Sequence, residues 1–258
     1  AFKMKKEINQ RKTEHIRLCL TGRVEGVNKT TGLEGIEFIH NALPEINFHD
    51  IDIRISFLGR ELKAPFLVSS MTGGTDLAIT INQNLAVAAE EKGWALAIGS
   101  TRAFLESDAY KESFLLREQA PTAPLIVNLG AVQLNYGYGP EECQQIIDKT
   151  NADSIVLHLN SLQEAVQDGG DLNFENLLPK IEKVCKTLEV PVGVKEVGFG
   201  IDGTVAEKLY NAGIAYIDVA GAGGTSWSQV EKLRSRNLLK KRAAEAFNSW
   251  GIPTKDCI

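Results

Sequence analysis

From residue 65 onward, short apolar runs alternate with longer amphipathic stretches, and the runs recur about every 30 residues. They read PFLVSSM (65–71), ALAIGS (95–100), PLIVNLG (124–130), SIVLHLN (154–160), VPVGVKEVG (190–198) and AYIDVAGAGG (215–224). The stretches between them carry helical spacing. It is clearest in FENLLPKIEKVCKTL (174–188), where Leu177, Leu178, Ile181, Val184, Cys185 and Leu188 fall on one predicted buried face. Pro140 stands where a helix opens and Gly213 where one is capped. Strands without internal polar alternation, each followed by a helix, predict a parallel sheet covered by helices. Upstream, IDIRISFLGRELKAP (51–65) reads as a hairpin.

A doubly wound open sheet and a (β/α)8 TIM barrel both fit this alternation, and the polar residues separate them. A doubly wound sheet gathers its ligand at one switch point, whereas a barrel stands its working groups at the C-terminal ends of several strands. Here Thr72, Ser100 with Arg102, Asn128, His158 with Asn160, Lys195 and Thr225 lie at or just past the ends of six successive runs. That favours the barrel. The first unit also lacks the GxGxxG of a dinucleotide fold. Only six strand–helix units can be counted before the chain ends at WGIPTKDCI. The expectation is an N-terminal segment with a hairpin over 1–64, then an incomplete barrel over 65–258 whose two open edges need further chain or a partner.

Composition narrows the function classes. The chain has 258 residues, 43% of them apolar and 24% charged, which describes an ordinary globular protein. A formal net charge of -5 argues against nucleic acid or an acidic membrane surface as the partner. A small anionic ligand held by local cations stays open. The four cysteines, Cys19, Cys143, Cys185 and Cys257, show no zinc spacing and read as reduced, with Cys143 and Cys185 packed in helices. AFKMKKEINQRK has no apolar signal core, and no stretch nears the roughly 20 apolar residues of a membrane helix, so a cytoplasmic protein is expected.

Several separated motifs, RKTEH, SSMTGG, GSTRAFLE, VNLGAVQL, HLNSLQE, VGVKEVGFG and DVAGAGGTSW, jointly resemble type 2 isopentenyl-diphosphate isomerase, from about residue 9 to the end. The resemblance implies an FMN-binding TIM barrel that interconverts isopentenyl and dimethylallyl diphosphates in isoprenoid synthesis. It also implies Mg2+, flavin reduced by NADPH, and a homo-oligomer, dimer or tetramer. Carried onto matching positions, it puts Ser70, Met71, Thr72, Ser100, Asn128, Lys195, Thr225 and Ser226 against the flavin. Arg11, Lys12, His15 and Arg102 would hold the diphosphate, with His158, Asn160 and Gln163 beside the substrate and Glu164 on the metal. His158, Asn160, Gln163 and Lys195 form the implied catalytic set. Where the family has Pro-Glu-Gly-Asp after the glutamate, this chain has QDGGD (167–171).

The residue types suit that chemistry without the family. Arginine offers a planar fork to phosphate oxygens, and magnesium takes carboxylate, water and phosphate oxygens. Shifting a double bond adds a proton at one carbon and removes one at another, work a reduced flavin can do. Plainer readings exist for each residue singly. His158 alone is a satisfied strand histidine, Lys195 a partner of Glu196, RKTEH a solvated helix face, and Gly221, Gly223 and Gly224 a tight turn. Asp168 and Asp171 read as loop solvation and a helix cap. Two other functions stay open: a flavin-dependent 2-hydroxy-acid oxidase, which needs a histidine base near a late strand, and a non-catalytic flavin-binding subunit.

Overall fold

The computed structural model describes residues 2–258, with side chains from residue 10 onward. Helix α1 (Phe2–Thr21) leads into an irregular segment and a hairpin of β1 (Ile55–Phe57) and β2 (Arg60–Leu62). Leu58 and Gly59 turn that hairpin with φ of 51° and 73°, the positive pair that two-residue hairpins favour. The units follow as β3 (Leu67–Val68), α2 (Asp76–Lys92), β4 (Ala95–Ser100), α3 (Arg102–Glu106), β5 (Leu125–Gly130), α4 (Pro140–Thr150) and β6 (Ser154–His158). After them come α5 (Ser161–Val166), α6 (Leu177–Thr187), β7 (Val192–Lys195), α7 (Gly203–Asn211), β8 (Tyr216–Asp218), α8 (Trp227–Arg234), α9 (Leu238–Ala246) and α10 (Thr254–Cys257).

Strands β3 to β8 form one parallel sheet in strictly sequential order. A doubly wound sheet reverses its order at the switch point, so this order decides for the barrel type of architecture. The sheet curls far enough for its two edges to meet at one point, where Ser69 Oγ donates to Asp218 Oδ2 at 2.8 Å. Ile98, Leu125, Val127, Leu129, Ile155, Leu157 and Val194 face the surrounding helices in one continuous core. The inner face is plugged at the opposite end by the hairpin, with Phe57 and Leu58 against Ala97, Ile126, Val156 and Tyr216. Gly193 is required there, since a Cβ would stand 2.3 Å from the Tyr216 ring.

Most expected elements form, with local corrections. β3 keeps only two residues of its run, because Pro65 precedes it and the chain turns away at Ser69. In α6, Ile181, Val184 and Leu188 are buried, whereas Leu178 is 38% exposed and leaves the predicted face. Pro140 is the first residue of α4, and Gly213 follows α7 with φ of 94°. Cys143 and Cys185 are free thiols in α4 and α6. The N-terminal segment is stitched to the barrel: Glu25 bridges Thr225, and Ser226 N–H donates to Val24 C=O at 2.7 Å. No helix of the described residues is long and apolar enough to cross a membrane.

Candidate functional site

The sheet register builds the floor of the site. His158 pairs with Lys195 and Lys195 with Asp218, while Ser100 pairs with Asn128, so polar residues on neighbouring strands reach one level at the C-terminal ends. Above them lies a cavity of about 570 Å³, roofed by α1. Every site residue expected from the sequence lines it, Ser226 excepted. Ser226 is buried beside it, its hydroxyl bonded to Ser228 Oγ at 2.9 Å. Gly224 lines the cavity with open space where a Cβ would be, whereas Gly223 is glycine because the Thr30–Thr31 backbone passes within 2.2 Å of that position.

The lining is electropositive. Arg11, Lys12, Arg102 and Lys195 face it against one carboxylate, Glu164. Burial, reinforced by Arg11, lowers Lys12 to about 7; its Nζ donates to Ser100 C=O at 3.1 Å. Burial also lowers Lys195, partly offset by Asp218 and Glu196. Lys195 is not paired with the Glu196 carboxylate. It donates to the Glu196 backbone C=O at 2.5 Å, and Glu196 Oε2 instead accepts from the N–H groups of Val197, Gly198 and Phe199. His158 Nδ1 lies 2.6 Å from Asn128 Oδ1. An amide oxygen only accepts, so Nδ1 carries the proton. Burial, then Lys195 and Lys12, push this imidazole down to about 3, which keeps it neutral and leaves Nε2 an acceptor.

HLNSLQE turns from β6 into α5. Asn160 sits at the helix start, and its amide donates to Gln163 Oε1 and Glu164 Oε1, each at 3.1 Å, rather than capping. Its own Oδ1 is buried without a partner, as are Ser70 Oγ and Gln133 Oε1, all on cavity residues. Buried polar atoms rarely stay unpaired, so these three are candidate ligand contacts, whereas Gln119 Oε1 and Arg234 Nη2 are unpartnered outside the cavity lining. Ser70 Oγ, Asn128, Lys195, Thr225 and the bare Gly224 fit a hydrogen-bonding, anionic cofactor such as FMN. The unpartnered Asn160 Oδ1 beside Glu164 fits a hard cation that completes its shell with water and phosphate. Among the described residues no cluster of three His, Cys, Asp or Glu side chains is placed to hold a metal without such help.

Four contributors escaped the sequence reading. Glu231 of α8, almost wholly buried, binds His15 Nε2 at 2.7 Å and Arg234 Nε at 2.8 Å. Burial pushes its pKa up, but His15 and Arg234 pull it down further, so it is held ionised. Trp227, one turn earlier on the same helix, packs edge-on to His15 at 4.9 Å. Gln133 and Gln167 line the cavity. Asp171 is not a helix cap: its carboxylate accepts from Arg102 Nη1 at 3.0 Å and Gln133 Nε2 at 2.9 Å. Asp168 accepts from Ser235 Oγ at 3.0 Å, away from the cavity lining.

No family profile matches the chain. An isopentenyl-diphosphate delta-isomerase of Oceanobacillus iheyensis is 83% identical over 255 residues, covering 99% of this chain and 73% of that protein. One of Rickettsia prowazekii is 52% identical, covering 99% and 75%, and one of Nostoc 49% identical, covering 98% and 72%. Among solved structures, a flavocytochrome b2 mutant with pyruvate bound shares the fold, with a TM-score of 0.59 at 13% identity over 90% of this chain and 62% of that one. With identity this high across nearly its whole length, the chain belongs to the isopentenyl-diphosphate delta-isomerase family.

Proposed function

We propose that the protein is a flavin-dependent, type 2 isomerase that converts isopentenyl diphosphate to dimethylallyl diphosphate, with FMN reduced by NADPH and with Mg2+. The observation that carries this reading is the character of the cavity lining: four basic side chains, Arg11, Lys12, Arg102 and Lys195, against one carboxylate, in a space of about 570 Å³. When bound, reduced FMN would supply the proton donor and acceptor for the allylic shift. Ser70, Thr72, Ser100, Asn128, Lys195 and Thr225 would hold it, with Met71 against its face. The residues of this chain would do the rest by orientation and charge. Arg11, Lys12, His15 and Arg102 would bring nitrogen donors to the diphosphate from α1 and α3, with α1 covering one side of the cavity. His158, fixed by Asn128 and neutral, offers an uncharged acceptor beside the hydrocarbon, where a cationic neighbour would oppose protonation of the double bond. Glu164 and Asn160 would take the metal.

We read the protein as cytoplasmic and homo-oligomeric. The oligomer is supported by Phe38 and Ile39, which are 97% and 98% exposed on the irregular segment. The test is anaerobic incubation of purified protein with FMN, a reductant, Mg2+ and isopentenyl diphosphate, with dimethylallyl diphosphate read by NMR. Product should form only with reduced FMN. Turnover by flavin-free protein would refute the cofactor assignment, and flavin reduction by a 2-hydroxy acid would favour the oxidase reading.

A further inference from the structure

We propose that Asp171 is a positioning residue that sets two parts of the site at once, aiming Arg102 with its carboxylate and Glu164 with its backbone N–H. The proposal rests on the diphosphate reading above for what those two residues bind. Asp171 does not line the cavity, but its three partners Arg102, Gln133 and Glu164 do.

Arg102 is gripped along two edges. Nε donates to Glu106 Oε1 at 3.0 Å and Nη1 to Asp171 Oδ2 at 3.0 Å, and Glu106 is itself held by Tyr138 Oη at 2.9 Å. Two carboxylates on different elements fix the plane of the guanidinium, and Nη2 lies outside both bonds. Burial works against the Arg102 charge, and Glu106 and Asp171 more than offset it, so Arg102 stays a cation. The same Asp171 oxygen accepts from Gln133 Nε2, which leaves Gln133 Oε1 as the buried, unpartnered end of that amide.

The second grip is through the backbone. Asp171 N–H donates to Glu164 Oε2 at 2.8 Å, beside Gln167 Nε2 at 3.1 Å. This contact needs the preceding glycine: a Cβ on Gly170 would stand 2.0 Å from Glu164 C=O and 3.0 Å from Oε2. Gly169 turns the chain into that approach with φ of 71°. The GGD passage is therefore shaped to lay residue 171 against the start of α5 while its side chain reaches α3.

The probe is inorganic pyrophosphate, titrated calorimetrically with and without Mg2+, which reads binding without turnover. Asp171→Ala leaves Arg102 held through Nε by Glu106 alone and frees the Gln133 amide, so fixing them falls on the ligand, and affinity should drop about tenfold. Asp171→Asn keeps an acceptor oxygen for both donors and should stay within about threefold of the unmodified protein. If Asp171 were only a counter-charge, both variants would bind pyrophosphate more tightly; if it were only a fold element, both would lower Tm with affinity unchanged. Either result overturns the proposal. Gly170→Ala should abolish the gain that Mg2+ gives to pyrophosphate binding, and a preserved gain overturns the Glu164 half. An unmodified protein that binds no pyrophosphate sinks the diphosphate reading and this proposal together, whereas normal binding by all variants sinks Asp171 alone.

Discussion

The two ends of the sheet handle charge in opposite ways. At the N-terminal ends Arg60 and Arg117 converge on Asp153: Arg60 Nη2 donates to Oδ1 at 2.6 Å, and Arg117 Nη2 to Oδ2 at 2.9 Å, where Leu125 N–H also arrives at 2.8 Å. The other Arg117 donors go to the carbonyls of Asn151, Ala120 and Ala123. Burial pushes the Asp153 pKa up, and these partners pull it below the ordinary carboxylate range. At the C-terminal ends four basic side chains face one carboxylate, and Ser70 Oγ, Gln133 Oε1 and Asn160 Oδ1 are buried without partners. The Asp153 cluster closes its own valences, with Gln119 Oε1 beside Ala120 as the one unpartnered side-chain atom near it among the described residues, whereas the cavity leaves three open. On the proposed function, the difference separates residues that hold the barrel from residues that would bind a ligand.

The largest expected effect breaks the closed end. Asp153→Ala strands two guanidinium groups and the Leu125 N–H, which should cost about 2–4 kcal/mol. For a domain of this size that lowers Tm by roughly 4–16 °C. Pyrophosphate affinity of the folded protein should not change. A thermal melt paired with a binding titration checks both, and lost affinity at full folding would mean that the two ends are coupled.

The next effect lies at the open end. Glu164 has burial working against its charge, relieved in part by the Asp171 N–H, Asn160 and Arg11, so its pKa is raised. Glu164→Gln keeps the size and removes the charge a hard cation prefers. Stability should fall by about 1–2 kcal/mol, because the amide has one acceptor oxygen where Glu164 accepts from Asn160 on one oxygen and from Gln167 and Asp171 N–H on the other, while the Mg2+ concentration for half-maximal pyrophosphate binding rises at least about tenfold. Coincident Mg2+ curves would make Glu164 an ordinary first-turn acid of α5.

This contrast explains how far the sequence was legible. Strand-end residues could be found because a parallel strand has one direction and its polar residues must emerge at its end, so Asn128, His158 and Lys195 were placed by pattern. Asp171 was misread, because its role depends on a loop folding back over Glu164 rather than on its own spacing. Glu231 was missed since a buried acid looks like any helix acid until His15, 216 positions away, is seen against it. The closed end was invisible for the same reason: Arg60 and Asp153 are 93 positions apart. Periodicity reports on local elements, and long-range ion pairs leave no period.

A smaller effect concerns Lys12, whose pKa falls from an ordinary 10.5 to about 7 in the buried cavity. A depressed folded value means that the unfolded chain binds more protons between those limits, so stability rises with pH across that window and is lost as pH falls toward 7. An anion reverses the pressure on Lys12. Pyrophosphate binding at pH 8 should therefore take up close to one proton, and affinity should fall roughly fivefold from pH 7 to 8 through this group. Calorimetry in two buffers of different ionisation enthalpy measures the uptake. Lys12→Arg, charged throughout, should remove it, and equal uptake by both proteins would return Lys12 to an ordinary surface value.

The smallest effect is the sharpest test of what an open valence means. Ser70 Oγ is buried on the cavity wall with no hydrogen bond, so the fold already carries the cost of its desolvation. Ser70→Ala removes that cost without breaking any bond, and stability in urea should be equal to, or up to about 1 kcal/mol above, that of the unmodified protein. A hydroxyl retained for packing would give the opposite sign, because the void left by its oxygen would destabilise the wall. The same substitution should weaken FMN retention by about three- to tenfold, the loss of one hydrogen bond to the cofactor. Stability that rises while FMN affinity falls would place Ser70 with the open end; stability that falls while FMN affinity holds would move it to the closed one.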